Sequence, residues 1–244
     1  MGWLKVVGVG PGNLLDMTLR ARLILEEAEV VVGYRRYVEW VLPLVNEGAI
    51  VVSGEMGGEV ERAREAIKRA LEGQKVCVVS GGDAGIYGMA GLVLELLVRE
   101  GSQVGVEIVP GVSAVQAVAA LLGAPLMQDF AVVSLSDLLV PWEVIARRLE
   151  AAAWGDFVLV LCNPASTQRK DTVMKAVQIL EHYRSPETVV GLVRAAGQRG
   201  ERVILTTLAR LLEHPVDMLT TIVVGSSKTL HREGWMITPR GYRW

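Results

Sequence analysis

The sequence predicts an α/β protein made of two α/β domains with a ligand cleft between them. Three features point there. Short β-branched runs alternate with helical patterns along the chain, the apolar runs end repeatedly in glycine or Asn-Pro turns, and 244 residues suffice for two domains of common size, about 100 to 150 residues each. Alternating strand and helix signals imply a mainly parallel sheet covered by helices. The break at Pro110-Gly111 sets the expected domains at 1–112 and 113–244, the second opening with a connector helix.

In the first half, "WLKVVGVG" reads as a strand, Asp16 to Glu27 as an amphipathic helix and "EVVVGY" as a strand. Glu59 to Leu71 follows as a helix with a charged face, and "KVCVVSGG" as a strand. Gly85 to Glu100 reads as a helix and "VGVEIVP" as the last strand of this half. Ser113 to Leu122, rich in small residues, reads as the connecting helix. The second half repeats the style. It runs through "FAVVSL", a helix from Trp142 to Ala153, "DFVLVLCNP" and a helix from Thr167 to Tyr183, then "TVVGLVRAAG", "ERVILTTL" and "MLTTIVVGSS". The halves share no sequence repeat, and no low-complexity linker separates them.

Composition narrows the function. A 51% hydrophobic content indicates a well-filled core, and a formal charge of -2 gives no general attraction to nucleic acid or to an anionic membrane. The start of the chain runs straight into a strand without a targeting pattern, and no apolar run approaches the ~20 residues that span a bilayer. The expectation is therefore a cytoplasmic protein without nucleic-acid or membrane partners. Cys77 and Cys162 sit in apolar runs, as small buried hydrophobes do. His182, His214 and His231 fall in none of the usual ligand spacings, so no metal is expected.

The glycine loops imply a small-molecule ligand. "VGVGPGN", Val7 to Asn13, follows the first strand, but a dinucleotide fingerprint would place glycine where Asn13 stands and amide donors where Pro11 has none. The acidic residue expected some twenty positions on is missing, and no Gly-Lys-Ser/Thr is present. Gly8 to Gly12, Gly81 to Asp83, Pro110 to Ala114, Cys162-Asn163-Pro164 and Ala195 to Gly197 all follow strand signals. In open α/β sheets such carboxyl ends line the ligand crevice.

The set "VGVGPGN", "GGDAGIYG", "VPGVSA" and "VDMLTTIVVGSS" resembles the tetrapyrrole methylases. Within that family, "VVGYRRYVEWV", "FAVVSLSDLLVPWEVIARRL", "GDFVLVLCNPAS" and "MITPRGY" look like the branch that methylates C(17) of precorrin-3B or of its cobalt-bearing counterpart, cobalt-factor III, in cobalamin biosynthesis. The resemblance runs from Lys5 to Tyr242. It implies an S-adenosyl-L-methionine-dependent methyltransferase, a tetrapyrrole substrate and a homodimer. It places cofactor contacts on Pro11, Gly81, Gly82, Asp83, Ile86, Ser113, Ala114, Cys162, Ala196 and, more weakly, Thr220. Cys162 departs from the pattern, since this branch usually carries tyrosine before Asn-Pro.

Physically, bare glycine backbone can hydrogen-bond an adenine or an amino-acid tail, and Asp83 can accept from ribose hydroxyls or an ammonium. Asp83 as a local cap of the helix at Gly85 is the structural alternative. A substrate bearing many carboxylates calls for cationic partners, for which Arg20, Arg35, Arg36, Arg169 with Lys170, and Arg194 are candidates. Ser136 and Asp137 are weak candidates for substrate contact or proton transfer, with capping of the Trp142 helix as the alternative role of Asp137. The competing classes are a nicotinamide oxidoreductase, disfavoured by Asn13, a noncatalytic tetrapyrrole carrier, and methylation of another tetrapyrrole position by the same fold.

Overall fold

The computed structural model describes residues 2–165 and 171–243. The chain divides into two compact units, Met1–Ala114 and Val115–Trp244. Unit 1 is built on strands β1 (Trp3–Gly8), β2 (Val30–Tyr34), β3 (Ile50–Gly54), β4 (Lys75–Ser80) and β5 (Val106–Val109), in the order β3-β2-β4-β1-β5. Every pairing in this sheet is parallel. Its helices are α1 (Leu19–Glu27), α2 (Arg35–Val41), α3 (Glu59–Leu71) and α4 (Met89–Arg99). Val6, Val30, Val32, Val76 and Val78 point to one face, against Ala63, Ile67, Val93 and Leu97 of α3 and α4. Val7, Val31, Cys77 and Val79 point to the other, against Ile24 and Leu25 of α1 and Val38 and Val41 of α2. Both faces are thus covered, which is why these strands read as almost unbroken valine.

Unit 2 contains α5 (Ala114–Leu122), β6 (Gly123–Ala124), β7 (Phe130–Ser134), α6 (Trp142–Trp154), β8 (Val158–Cys162), α7 (Thr172–Leu180), β9 (Val189–Arg194), β10 (Arg202–Thr207), β11 (Thr220–Val224), β12 (Leu230–Arg232) and β13 (Trp235–Ile237). Its main sheet has the order β10-β9-β11-β8-β7, and a small sheet the order β12-β13-β6. The main sheet does not repeat the style of unit 1. Only β7 and β8 pair in parallel, while β10–β9, β9–β11 and β11–β8 are antiparallel. The short 195–201 connection accounts for the first of these, because a parallel return needs a crossover of a dozen or more residues. One core face packs Leu159, Leu161, Leu192 and Ile222 against Ile145 and Leu149 of α6 and Val177 and Leu180 of α7. The other packs Val158, Val160, Val193 and Val223 against Val115, Val118 and Leu122 of α5.

Several boundaries differ from the sequence reading. The Asp16–Glu27 stretch is a 3-10 turn, Leu14–Asp16, and then α1, whose amide at Ala21 donates to the Thr18 hydroxyl at 3.1 Å. Helix α4 begins at Met89 and not at Gly85, because residues 85–88 form a turn in which Tyr87 takes φ +53°. The N-cap of α4 is Gly88, so Asp83 does not cap this helix. Likewise the N-cap position of α6 is held by Pro141 and not by Asp137. The expected helix start at Thr167, with Arg169 and Lys170, lies outside the described residues.

Candidate functional site

The parallel sheet of unit 1 delivers three loops to its carboxyl edge, after β1, β4 and β5. They are locked together through their backbones. The Val9 amide donates to the Ser80 carbonyl at 2.9 Å, Gly10 N–H donates to Gly82 O at 3.1 Å, and Gly82 N–H donates to Gly10 O at 2.7 Å. A Cβ on Gly8 would lie 2.7 Å from Gly111 N and from Gly82 O, and a Cβ on Gly111 only 2.2 Å from Gly82 O. Asp83 closes the arrangement: its Oδ1 accepts from Gly85 N–H at 2.8 Å and its Oδ2 from Gly111 N–H at 2.9 Å.

This revises the expected use of the glycines. The sequence reading left their bare backbone to a ligand, whereas Gly8, Gly82 and Gly111 first allow the loops to touch one another. Gly81 is closed on one side too, since a Cβ there would meet the Tyr37 ring at 2.5 Å. Asp83 spends two acceptor positions on the protein and keeps others, because a carboxylate has about four lone-pair sites. Pro11 and Ser113 are buried beside this junction, Ala114 is half-buried and Ile86 is exposed. Tyr87, also exposed, holds a left-handed backbone that a bulky side chain rarely adopts. Strain of that kind gathers at ligand-binding segments.

In unit 2 the strand directions bring the remaining predicted residues to one end of the sheet. Ser134 is in register with Cys162, and Thr220 with Arg194, so the last residues of β7, β8 and β9 meet the first of β11. Two residues there take left-handed backbones, Asn163 at φ +51° and Ala195 at φ +53°. The Asn163 side-chain amide donates to Ser134 Oγ at 3.0 Å. Ala196 is buried, and burial raises the Cys162 thiol to about 11, so it stays protonated and apolar at neutral pH. Thr220 is buried, and its hydroxyl donates to Asp217 Oδ1 at 2.9 Å, inside its own turn. Burial pushes the Asp217 carboxyl up. The Thr220 hydroxyl, the Arg194 guanidinium and the Leu219 amide outweigh that and hold it below the usual carboxylate value.

The candidate cations have partners. Arg194 Nε donates to Asp217 Oδ2 at 2.8 Å, Arg20 pairs with Glu107, and Arg35 pairs with Glu55 at 2.9 Å. Arg36 lies over the Trp40 ring at 5.9 Å. Arg35 stands at the carboxyl edge of the unit 1 sheet, whereas Glu107 holds Arg20 beside the middle of β5. Ser136 N–H donates to Ser134 Oγ at 3.3 Å, and Asp137 is exposed on the loop after β7.

The sequence reading missed the Ser134–Asn163 contact and the Asp217–Thr220–Arg194 cluster. The first left one trace, an Asn-Pro pair after a strand, which is a turn signal. Among the described residues, no group of three or more His, Cys, Asp or Glu is placed to hold a metal ion, and no helix is long and apolar enough to cross a membrane.

The fold and these loops define an α/β protein of the class that gathers ligand-binding segments at the carboxyl edges of its strands. The family model of the tetrapyrrole (corrin/porphyrin) methylases matches residues 4–212. The chain belongs to that family. It is 48% identical, over 99% of its own length, to the cobalt-factor III methyltransferase of Priestia megaterium, of which it spans 45%. It is 46% identical to the probable cobalt-factor III C(17)-methyltransferase of Salmonella typhimurium, covering 98% of this chain and 99% of that one. Among solved structures, the methyltransferase CobJ superposes with a TM-score of 0.93 at 34% identity, covering 98% of this chain and 100% of that chain. The uroporphyrin-III C-methyltransferase of Thermus thermophilus, solved with S-adenosylhomocysteine, gives 0.73 at 29% identity, covering 92% and 97%.

Proposed function

We propose that this protein is an S-adenosyl-L-methionine-dependent C-methyltransferase acting at C(17) of a corrinoid precursor, precorrin-3B or cobalt-factor III, in the step that accompanies ring contraction in cobalamin biosynthesis. The observation that carries the cofactor reading is the glycine junction of unit 1. There, three loop backbones stand side by side without side chains at Gly10, Gly82 and Gly111, beside a carboxylate with acceptor positions left. The amides of Gly10, Gly82 and Gly111 are taken up by one another's carbonyls and by Asp83, so the junction offers an adenosine or an amino-acid tail acceptors, namely the second lone pairs of its carbonyls and the remaining sites of the Asp83 carboxylate. Gly81, Gly82 and Asp83 would hold the polar parts, with Pro11, Ile86, Ser113 and Ala114 around them. Cys162, Ala196 and Thr220, which the resemblance assigns to the same cofactor, gather at one end of the unit 2 sheet, where the protonated Cys162 stands in place of the tyrosine usual in this branch.

The cofactor, when bound, supplies an electrophilic methyl group on a sulfonium. The chain's own task is positioning and water exclusion, which are effective where a nucleophilic carbon must meet that methyl group in line. Arg35 and Arg36 are the cations offered to substrate carboxylates. The Arg35–Glu55 pair is exposed on both sides and therefore costs little to break, ~0 to 1 kcal/mol.

Cytoplasmic location and a homodimer belong to the same reading. An apolar surface for the second copy is present: Leu19 and Leu23, one turn apart on α1, are 71% and 51% exposed, and Leu15 in the preceding 3-10 turn is 91% exposed. Sedimentation of Leu19→Ser/Leu23→Ser should show monomer where the parent chain is dimer. A parent chain that is itself monomeric would refute the homodimer.

The functional test is incubation with S-adenosyl-L-methionine and either precorrin-3B or cobalt-factor III, following product mass. A product heavier by one methylene is expected from one of them. Calorimetry should show binding of S-adenosylhomocysteine and none of NADH; no mass gain with either corrinoid would overturn the reading.

A further inference from the structure

The segment between β7 and α6, residues 135–141, carries two adjacent leucines in the open. Leu138 is 79% and Leu139 91% exposed, while Leu135, three residues earlier, is fully buried in the unit 2 core. Single exposed leucines are ordinary, but two side by side on a short loop carry a hydration cost that a polar pair would avoid.

The loop is pinned at both ends. Leu135 N–H donates to the Cys162 carbonyl at 2.9 Å. Ser134 Oγ accepts from Ser136 N–H at 3.3 Å and from the Asn163 side-chain amide at 3.0 Å, so one hydroxyl ties this loop to the Asn163 turn. At the far end Val144 and Ile145 donate to the Pro141 carbonyl at 3.0 and 3.3 Å, which opens α6. The two leucines are therefore held at the end of the sheet where Cys162, Asn163 and Ala196 collect.

We propose that Leu138 and Leu139 form an apolar bearing surface for the face of the tetrapyrrole macrocycle, and so take part in selecting the substrate. This rests on the functional reading given above. The chemistry of the loop favours the ring's face over its carboxylate rim, since residues 135–141 contain no lysine or arginine and one carboxylate, Asp137. A second copy of the chain is a poorer occupant. Two leucine side chains fall far short of the roughly 800 Å² per partner that stable interfaces bury, and Leu15, Leu19 and Leu23 offer a broader apolar face.

The test compares the full chain with Leu138→Ser/Leu139→Ser, and with Leu138→Met/Leu139→Met as the conservative control. Absorbance titration with the corrinoid should show about tenfold weaker binding for the serine variant, and its Michaelis constant should rise by a similar factor. The methionine variant should stay within about twofold of the parent in both. S-adenosylhomocysteine affinity and sedimentation should be the same in all three. Unchanged corrinoid binding in the serine variant overturns the proposal, as does a loss of dimer, which would assign the loop to the subunit interface. A parent chain that binds the corrinoid without methylating it overturns the functional reading alone, because the leucine effect on binding stays measurable. A parent chain that binds no corrinoid overturns both.

Discussion

At the scale of single residues, Asp83 concentrates the most structure in the fewest atoms. Its two oxygens hold the amides of Gly85 and Gly111, which lie on different loops. Hydrogen bonds to a charged group contribute roughly 1.5 to 3 kcal/mol each, less where solvent competes. Asp83→Ala should therefore lower unfolding free energy by about 1 to 3 kcal/mol and weaken S-adenosylhomocysteine binding as well, in contrast to a residue that serves only the ligand. Asp83→Asn keeps one acceptor and should fall between. Urea melts and calorimetry on both variants check this; an asparagine variant equal to the parent in both would leave the bond to Gly111 without energetic weight.

Two glycines of unit 1 show how differently elements use the same residue. Gly91 lies exposed in the first turn of α4, and a Cβ added there would meet nothing within 4 Å, so Gly91→Ala should stabilise by about 0.5 to 1 kcal/mol through helix propensity. Gly111 sits in a loop where the same methyl would lie 2.2 Å from the Gly82 carbonyl oxygen. Gly111→Ala must push the β5 loop off the β4 loop, and should lower both melting temperature and S-adenosylhomocysteine affinity. Thermal melts of the two variants should move in opposite directions. The antiparallel strands β9, β10 and β11 act in another way, since a sheet of mixed direction sets the start of one strand beside the ends of its neighbours. That is how Thr220 comes to lie next to Arg194.

Across the whole molecule, two carboxylates tie acid stability to the fold of unit 2. Asp156 accepts from Arg184 Nη1 at 2.7 Å and from the Ser227 amide and hydroxyl at 2.8 and 2.7 Å. Burial raises its carboxyl, but the Ser227 bonds and the Arg184 and Lys228 charges outweigh that and bring it below the usual value. Asp217 is depressed in the same sense. A group depressed in the folded state contributes stability above its unfolded value and loses it as pH falls through the folded one. The loss should therefore fall below about pH 4, the ordinary carboxylate range. Asp156→Asn/Asp217→Asn should be less stable than the parent at pH 7 and show a shallower decline toward pH 3 in thermal melts; parallel curves would exclude these two groups as the source of acid sensitivity.

The sequence by itself determined the α/β class, the valine strands and the loops that follow them. Apolar periodicity and glycine punctuation are local signals, and a parallel sheet covered on both faces writes them plainly. Helix α3 was legible to the residue, because its charged face and apolar spacing run over 13 residues. Helix α2 was not, since Arg35 follows Tyr34 directly and no side chain caps the helix, nor was β3, an edge strand with exposed valine and isoleucine. Tertiary structure alone decided the direction of β9, β10 and β11, the contact of Ser134 with Asn163, and the use of Gly8, Gly82 and Gly111 against one another. Those depend on which distant segments become neighbours. A glycine in the sequence records only that something must come close, and the fold decides that the first thing to do so is another stretch of the same backbone.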